Sequence, residues 1–305
     1  MTGGHDRTAA DGGLSGGARY RSRLAWTMVL IGAFFVVELT AGWLTGSLAL
    51  LSDAGHMLTD VVSVGMALAA ITVAARGTGR TQHTFGLYRL EILAALANAV
   101  LLLGVAGYVL YEAVGRLRDP SVVAGWPTLL VALVALAVNG AAYWLLRQGA
   151  KESLNVRGAL LEVVFDALNS MGVVVAAVIL LTTGWPYADP IVAGGIAVMI
   201  VPRAISLGRQ ALQVLLQAAP EHVPVEEVHD TLSELEGVVD VHDLHVWTLT
   251  STMEVVSAHV MIDADTDSHA VLDRARQVLA DRYDVHHATL QVEPDTHEGC
   301  EQVSW

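Results

Sequence analysis

One cysteine, Cys300, is all the chain contains. No internal disulfide and no cysteine-rich zinc knuckle can form from it, and the thiol reads as a spare group in a terminal tail. Charge is scarce too: 16% of residues are charged, against roughly 25% in a soluble domain. With 53% hydrophobic residues and a mean hydropathy of +0.50, most of the chain is not built to face water. Disorder, a collagen-like repeat and a disulfide scaffold are excluded. The 305 residues suffice for two modest domains and are too few for a large multidomain enzyme.

The net charge of −14 is unevenly spread. Residues 1–220 hold 14 of the 17 Lys and Arg and 12 of the 31 Asp and Glu. Residues 221–305 hold 3 basic residues, 19 acidic ones and 9 of the 12 histidines. The first part is apolar and slightly basic; the second is polar, acidic and His-rich. Two domains in two solvents are implied. The acidic part repels nucleic acid and attracts cations.

Six apolar stretches, at about 24–46, 48–75, 90–114, 122–146, 158–182 and 187–208, each reach the ~20 residues a membrane-crossing helix needs. The first 23 residues lack an apolar core, so no cleaved signal peptide is expected. Gly13-Leu14-Ser15-Gly16-Gly17 matches a nucleophile-elbow pattern, but no strand precedes it, and the match reads as chance. Lys and Arg set the orientation. The N-terminal tail, the 2–3 and 4–5 loops and the end of span six carry 12 of them; the opposite side has only Arg116 and Arg118. Both termini are expected in the cytoplasm.

Ionisable groups inside a bilayer cost at least ~2.5–3.5 kcal/mol each and default to function. Span two carries His56 and Asp60, four residues apart on one helix face. Span five carries Glu162 and Asp166 at the same spacing. If the faces meet, one imidazole and three carboxylates converge. Such a set suits a tetrahedral divalent ion: His with carboxylates is ordinary zinc chemistry, and a carboxylate-rich site also suits manganese or iron. The alternative is hydrogen bonding across helices that holds the bundle. Metal binds deprotonated ligands, so metal and protons compete for the four groups. A site opening alternately to each side then exchanges cation for proton. Glu38 in span one reads as a proton relay, a lining of the cytoplasmic vestibule, or a bond to a neighbouring helix. Asn98, Asn139 and Asn169 read as interhelical bonds, Asp53 as structural, and Arg89 with Glu91 as a pair or gate at the cytoplasmic start of span three.

The acidic part begins after Pro220 and Pro224. Residues 224–236 read as a helix, 238–249 and 254–262 as strands, 267–282 as a helix and 286–293 as a last strand. The order αββαβ makes a small two-layer α+β domain. His242 and His259 fall on adjacent strands, where a cross-strand approach can form. Glu293 lies in the third strand and His286 near its start. The alternative is solvated histidines on an acidic surface. His245 and Trp247 read as packing residues; His222, His229, His287 and His297 read as surface.

Ordered motifs now align with one family. They are Gly46-Ser47-Leu48-Ala49-Leu50-Leu51-Ser52-Asp53-Ala54-Gly55-His56 running on to Asp60, then His83-Thr84-Phe85-Gly86 with Arg89 and Glu91-Ile92-Leu93-Ala94-Ala95-Leu96. Asp166 with Gly172-Val173-Val174, Asp189-Pro190 and Val241-His242-Asp243-Leu244-His245-Val246-Trp247 follow. Over residues 24–295 the chain resembles the cation diffusion facilitator family. The resemblance implies a six-helix homodimeric exporter with a metallochaperone-like cytoplasmic domain that dimerises. It implies that zinc or a related divalent cation leaves the cytoplasm in exchange for protons. His56, Asp60 and Asp166 fall on the family's transport positions. Glu162 stands where zinc-transporting members usually have His, which opens the cargo to cadmium, cobalt, manganese and iron. The positions of a second loop 2–3 ion are Arg80, His83 and Leu87, so no ion is expected there. His242, His259 and Glu293 match regulatory metal positions, with His269 a weaker match, and zinc is the expected regulatory ion; Gln291 stands where some members have His.

The expected division is a disordered cytoplasmic tail over 1–23, six transmembrane helices over 24–215, the cytoplasmic α+β domain over 216–295 and a tail over 296–305. The short loops suit a bacterial inner membrane. Two other readings are an intramembrane metalloenzyme, which would need an open coordination position and a general base, and a metal-sensing membrane protein. No HExxH motif is present, and all four buried groups read as ligands.

Overall fold

The computed structural model describes residues 29, 32–75, 85, 87, 89–148, 154–250 and 253–296; side chains of residues 60, 63–75 and 154–156 are outside the description. Outside it also lie the N-terminal tail with its Ser15 match, Arg76, Arg80, His83, Lys151, His297 and Cys300. The chain divides into two compact units, residues 1–64 with 98–205 and residues 65–97 with 206–305.

The apolar stretches form helices: α1 (Gly32–Thr45), α2 (Leu48–Ala75), α3 (Arg89–Arg118), α4 (Gly125–Leu146), α5 (Leu154–Thr183) and α6 (Ala188–Leu215). Among the described residues, α3, α4, the Arg157–Thr183 part of α5 and α6 are long and apolar enough to cross a membrane. Large apolar side chains stay exposed on their outer faces, among them Val100, Tyr111, Leu130, Trp144, Leu168 and Val198. In water such faces would be a liability; in lipid they are the matched surface. What is buried between helices is small. On α4 the buried stripe runs Thr128, Ala132, Ala135, Asn139, Ala142 and Leu146, a spacing that keeps one helical face in contact. Ala142 and Leu146 meet Val163 of α5, while Ala135 meets Phe34 of α1 and Met57 of α2.

The start of α2 is pinned. Gly46 turns the chain at φ +73°, a left-handed conformation that glycine adopts without strain. Asp189, at the start of α6, then caps the new helix. It accepts from Ser47 Oγ at 2.5 Å, from the Leu48 N–H at 2.7 Å and from the Ala49 N–H at 3.4 Å. A carboxylate at a helix N-terminus satisfies orphan donors and meets the positive end of the helix dipole. Arg116 of α3 donates to the Gly46 carbonyl and reaches within 3.9 Å of Asp189. Nine residues on, at Gly55, an added Cβ would stand 2.6 Å from Val105 of α3. Only a hydrogen at that position lets α2 lie this close to α3.

The C-terminal unit carries the expected αββαβ order: α7 (Val225–Ser233), β1 (Val238–Thr250), β2 (Met253–Ile262), α8 (Ser268–Tyr283) and β3 (His287–Pro294). The sheet order is β1-β2-β3, with β1/β2 antiparallel and β2/β3 parallel. A parallel pair needs a crossover, and α8 supplies it. Val228 and Leu232 of α7 and Ala275, Leu279 and Tyr283 of α8 bury against Val241, Val246, Val256 and Ala258 of the sheet. The inward side of α8 is Val271, Ala275, Leu279 and Tyr283, with Leu272 and Val278 half-buried at its flanks.

Candidate metal centres

In the membrane unit α2 and α5 bring His56 and Asp166 together. His56 Nε2 lies 3.6 Å from Asp166 Oδ1, and the residues are 3% and 4% exposed. Each group is expensive to desolvate alone, and a cation or proton between them offsets the penalty. Asp60 lies one turn further along α2, with its side chain outside the description. Glu162 lies one turn before Asp166 on α5 and pairs with Arg203 of α6.

One turn before His56 sits a second acidic pair. Glu38 of α1 and Asp53 of α2 are both buried, with their carboxyl groups facing each other. Glu38 is 0% exposed, so it packs among helices instead of lining an open vestibule. Asp53 is also bonded by Asn169 and Ser170. Ser170 Oγ stands 2.8 Å from the Asp166 carbonyl and 3.4 Å from Asp53 Oδ2, and it accepts from Asn139 Nδ2 at 3.3 Å. Asn139 and Asn169 thus serve as the expected links between helices. Ser170, which the sequence did not single out, stands between the Asp166 backbone carbonyl and the Asp53 carboxylate.

The cytoplasmic unit gathers a second cluster. His242 and His259 are direct cross-strand partners, with ring centroids 5.3 Å apart. Glu293 reaches in from β3, with Oε1 at 2.9 Å from His259 Nδ1 and Oε2 at 3.8 Å from His242 Nε2. One ligand atom from each of the three lies within 4.8 Å of the others. Ligands 2.0–2.1 Å from a tetrahedral zinc stand about 3.3 Å apart, a value these two distances straddle. His242 Nε2 is buried without a hydrogen bond, while its Nδ1 is 3.1 Å from Asp240. That is the arrangement in which a carboxylate orients an imidazole and leaves its other nitrogen for a metal. Gln291 donates to Glu293 Oε1 at 2.6 Å and steadies the carboxylate. The donor set therefore fits a zinc ion.

Two of the five histidine and glutamate candidates stand apart from this cluster. His286 is exposed and bonds Asp284 at 2.9 Å. His269 is exposed in the first turn of α8, its backbone N–H donating to Asp267. His245, expected to pack, is exposed and lies 3.0 Å from Asp243. Trp247 is half-buried. Asp243 adopts φ +50° at a bulge in β1, which brings its carboxylate within 4.0 Å of His259.

Comparisons with known proteins cover both units of the chain. The family described as "Cation efflux transmembrane domain" matches residues 24–216, and "Cation efflux protein, cytoplasmic domain" matches residues 220–295. The metal cation efflux system protein CzcD of Cupriavidus metallidurans is 43% identical over 267 residues, covering 87% of this chain and 84% of its own. A cadmium, cobalt and zinc/H(+)-K(+) antiporter of Bacillus subtilis is 34% identical over 276 residues, covering 89% and 88%. The zinc transporter ZitB of Escherichia coli is 37% identical over 283 residues, covering 90% of each chain. Among solved structures, the metal-bound C-terminal domain of the CzcD transporter covers 23% of this chain and 99% of its own, at 38% identity and a TM-score of 0.23. A helical membrane unit with buried acid and imidazole groups, followed by a cytoplasmic αββαβ domain, is thus matched along nearly its whole length: the chain belongs to the cation efflux, or cation diffusion facilitator, family of integral membrane transporters and is not an enzyme.

Proposed function

We propose that the protein exports zinc, and with it cadmium and cobalt, from the cytoplasm in exchange for protons. The cation rides between α2 and α5, held by His56, Asp60, Glu162 and Asp166. The observation that carries this reading is the buried His56–Asp166 approach at 3.6 Å between two helices that each bear an i,i+4 ligand pair. The relatives above, whose names specify zinc, cadmium and cobalt, support the cargo. Proton coupling follows from the donors: a dication displaces protons from imidazole and carboxylates, and reprotonation on the other side releases it. The membrane is a bacterial inner membrane, with both termini in the cytoplasm.

The second cluster serves regulation. Cytoplasmic zinc held by His242, His259 and Glu293 would neutralise part of the acidic charge of the domain, drawing two copies together as a homodimer. The chemistry supplied by the bound ion is charge neutralisation alone.

Purified protein in liposomes with an acidic lumen tests the transport reading. Zinc added outside should enter while the lumen loses protons, and His56→Ala should abolish both. Flux indifferent to the pH gradient, without proton countermovement, would overturn it.

A further inference from the structure

Arg203 is the one cation placed against the proposed transport ligands among the described residues. It follows Pro202 within α6, where the helix lacks one backbone N–H. Its guanidinium donates to Glu162, and its central carbon stands 5.2 Å from the centre of the Phe165 ring. Glu162 and Phe165 are three residues apart on α5, so Arg203 spans one face of that helix, a single turn from Asp166. His56 lies within electrostatic reach of both Arg203 and Glu162.

A permanent charge next to a cation site has a consequence. Guanidinium keeps its proton at every physiological pH and forms directed bonds to carboxylates. A lysine or histidine in its place could shed its charge when a metal arrived; Arg203 cannot. Arg203 holds Glu162 Oε1 and leaves Oε2 buried without a hydrogen bond, so a divalent ion arriving at Oε2 is repelled by the guanidinium charge across the same carboxylate and is held more tightly once Arg203 withdraws, its side chain still having the Phe165 ring to rest on. We propose that Arg203 is a tethered competitor of the transported ion: by exchanging Glu162 between its own guanidinium and the metal, it weakens cation binding and speeds release. This rests on the reading of His56, Asp60, Glu162 and Asp166 as the transport site. It assigns Glu162 a switching role and leaves His56, Asp60 and Asp166 as the constant ligands.

The size of the effect follows from the share of Glu162 that is free. If about nine in ten copies hold the Arg203 pair, apparent affinity falls about tenfold below the intrinsic value. Removing the guanidinium restores it.

The test is zinc uptake into liposomes by the full chain at fixed pH. Arg203→Met should lower the half-saturating zinc concentration about tenfold and lower the maximal rate, because release slows. Arg203→Gln, which keeps a donor without the charge, should shift in the same direction and covers the case in which the methionine variant does not fold. In a Glu162→Gln background, Arg203→Met should change half-saturation by less than about twofold. A merely structural pair predicts the opposite pattern: reduced folded yield and no gain in apparent affinity. The proposal is overturned if half-saturation stays the same or rises in folded Arg203 variants, or if the gain persists without the Glu162 carboxylate. His56→Ala separates the two layers. Transport like the parent's in that variant sinks the transport-site reading itself, whereas its loss together with a flat Arg203 result sinks only the competitor.

Discussion

Replacing Asp189 by alanine should loosen the helix that carries His56. The carboxylate accepts from Ser47 Oγ and from the N–H groups of Leu48 and Ala49, and all three donor residues are at most 1% exposed. Each buried donor left without an acceptor costs about 1–3 kcal/mol. Loss of the negative charge at the α2 N-terminus adds up to ~2 kcal/mol, and Arg116 nearby loses part of its counter-charge. Members of one network do not add, and removing one partner of a buried charged cluster typically destabilises by about 3–5 kcal/mol. At about 2–4 °C per kcal/mol, apparent melting should fall by roughly 6–20 °C. Asn keeps the size and one acceptor but not the charge, so Asp189→Asn should lose only about 1–2 kcal/mol. The assay is intrinsic-fluorescence melting of the detergent-purified full chain at one fixed scan rate, with zinc uptake measured in parallel. An alanine variant melting within about 1 °C of the parent would refute the claim that Asp189 pins α2.

Two further outcomes follow from close approach and from the cytoplasmic cluster. Gly55→Val should separate α2 from α3, since even a Cβ would meet Val105 at 2.6 Å; overpacking of this kind costs about 1–3 kcal/mol, and zinc uptake should fall with it while Gly104→Ala, with nothing within 4 Å, remains neutral. His242→Ala and Glu293→Gln should each remove the cytoplasmic zinc-binding event from the full chain in calorimetric titration and leave proton-coupled uptake at saturating zinc intact; unchanged titrations would show that this cluster holds no ion.

Much of this arrangement was legible in the chain because it is periodic. Two i,i+4 pairs in apolar stretches announce themselves, and alternation in 238–249 and 254–262 puts His242 and His259 on facing strands. Register then did the rest: His242 pairs directly with His259, and the parallel β3 delivers Glu293. Asp240 carried a readable signal as well, since it precedes His242 by two residues and so shares its strand face. Asp243 did not, because its approach to His259 depends on a left-handed bulge that alternation conceals. Spacing says even less about partners on other helices. Arg203 counted only towards orientation, and nothing local ties it to Glu162, 41 residues away. Glu38 facing Asp53 likewise requires the rotation of α1 against α2, which an apolar helix with weak amphipathicity leaves undetermined. His269 weakly matched a family metal position and His286 lay near the start of the last strand, yet the first turn of α8 and the loop before β3 hold them in solvent.

The most direct measurement is anomalous scattering from crystals of the full-length protein grown with cadmium or zinc. One ion between α2 and α5, within about 2.0–2.4 Å of His56 Nε2 and an Asp166 oxygen, is the predicted result. A protein that transports the metal yet shows no ion there, with His56, Asp60, Glu162 and Asp166 turned away from one another, would contradict the account.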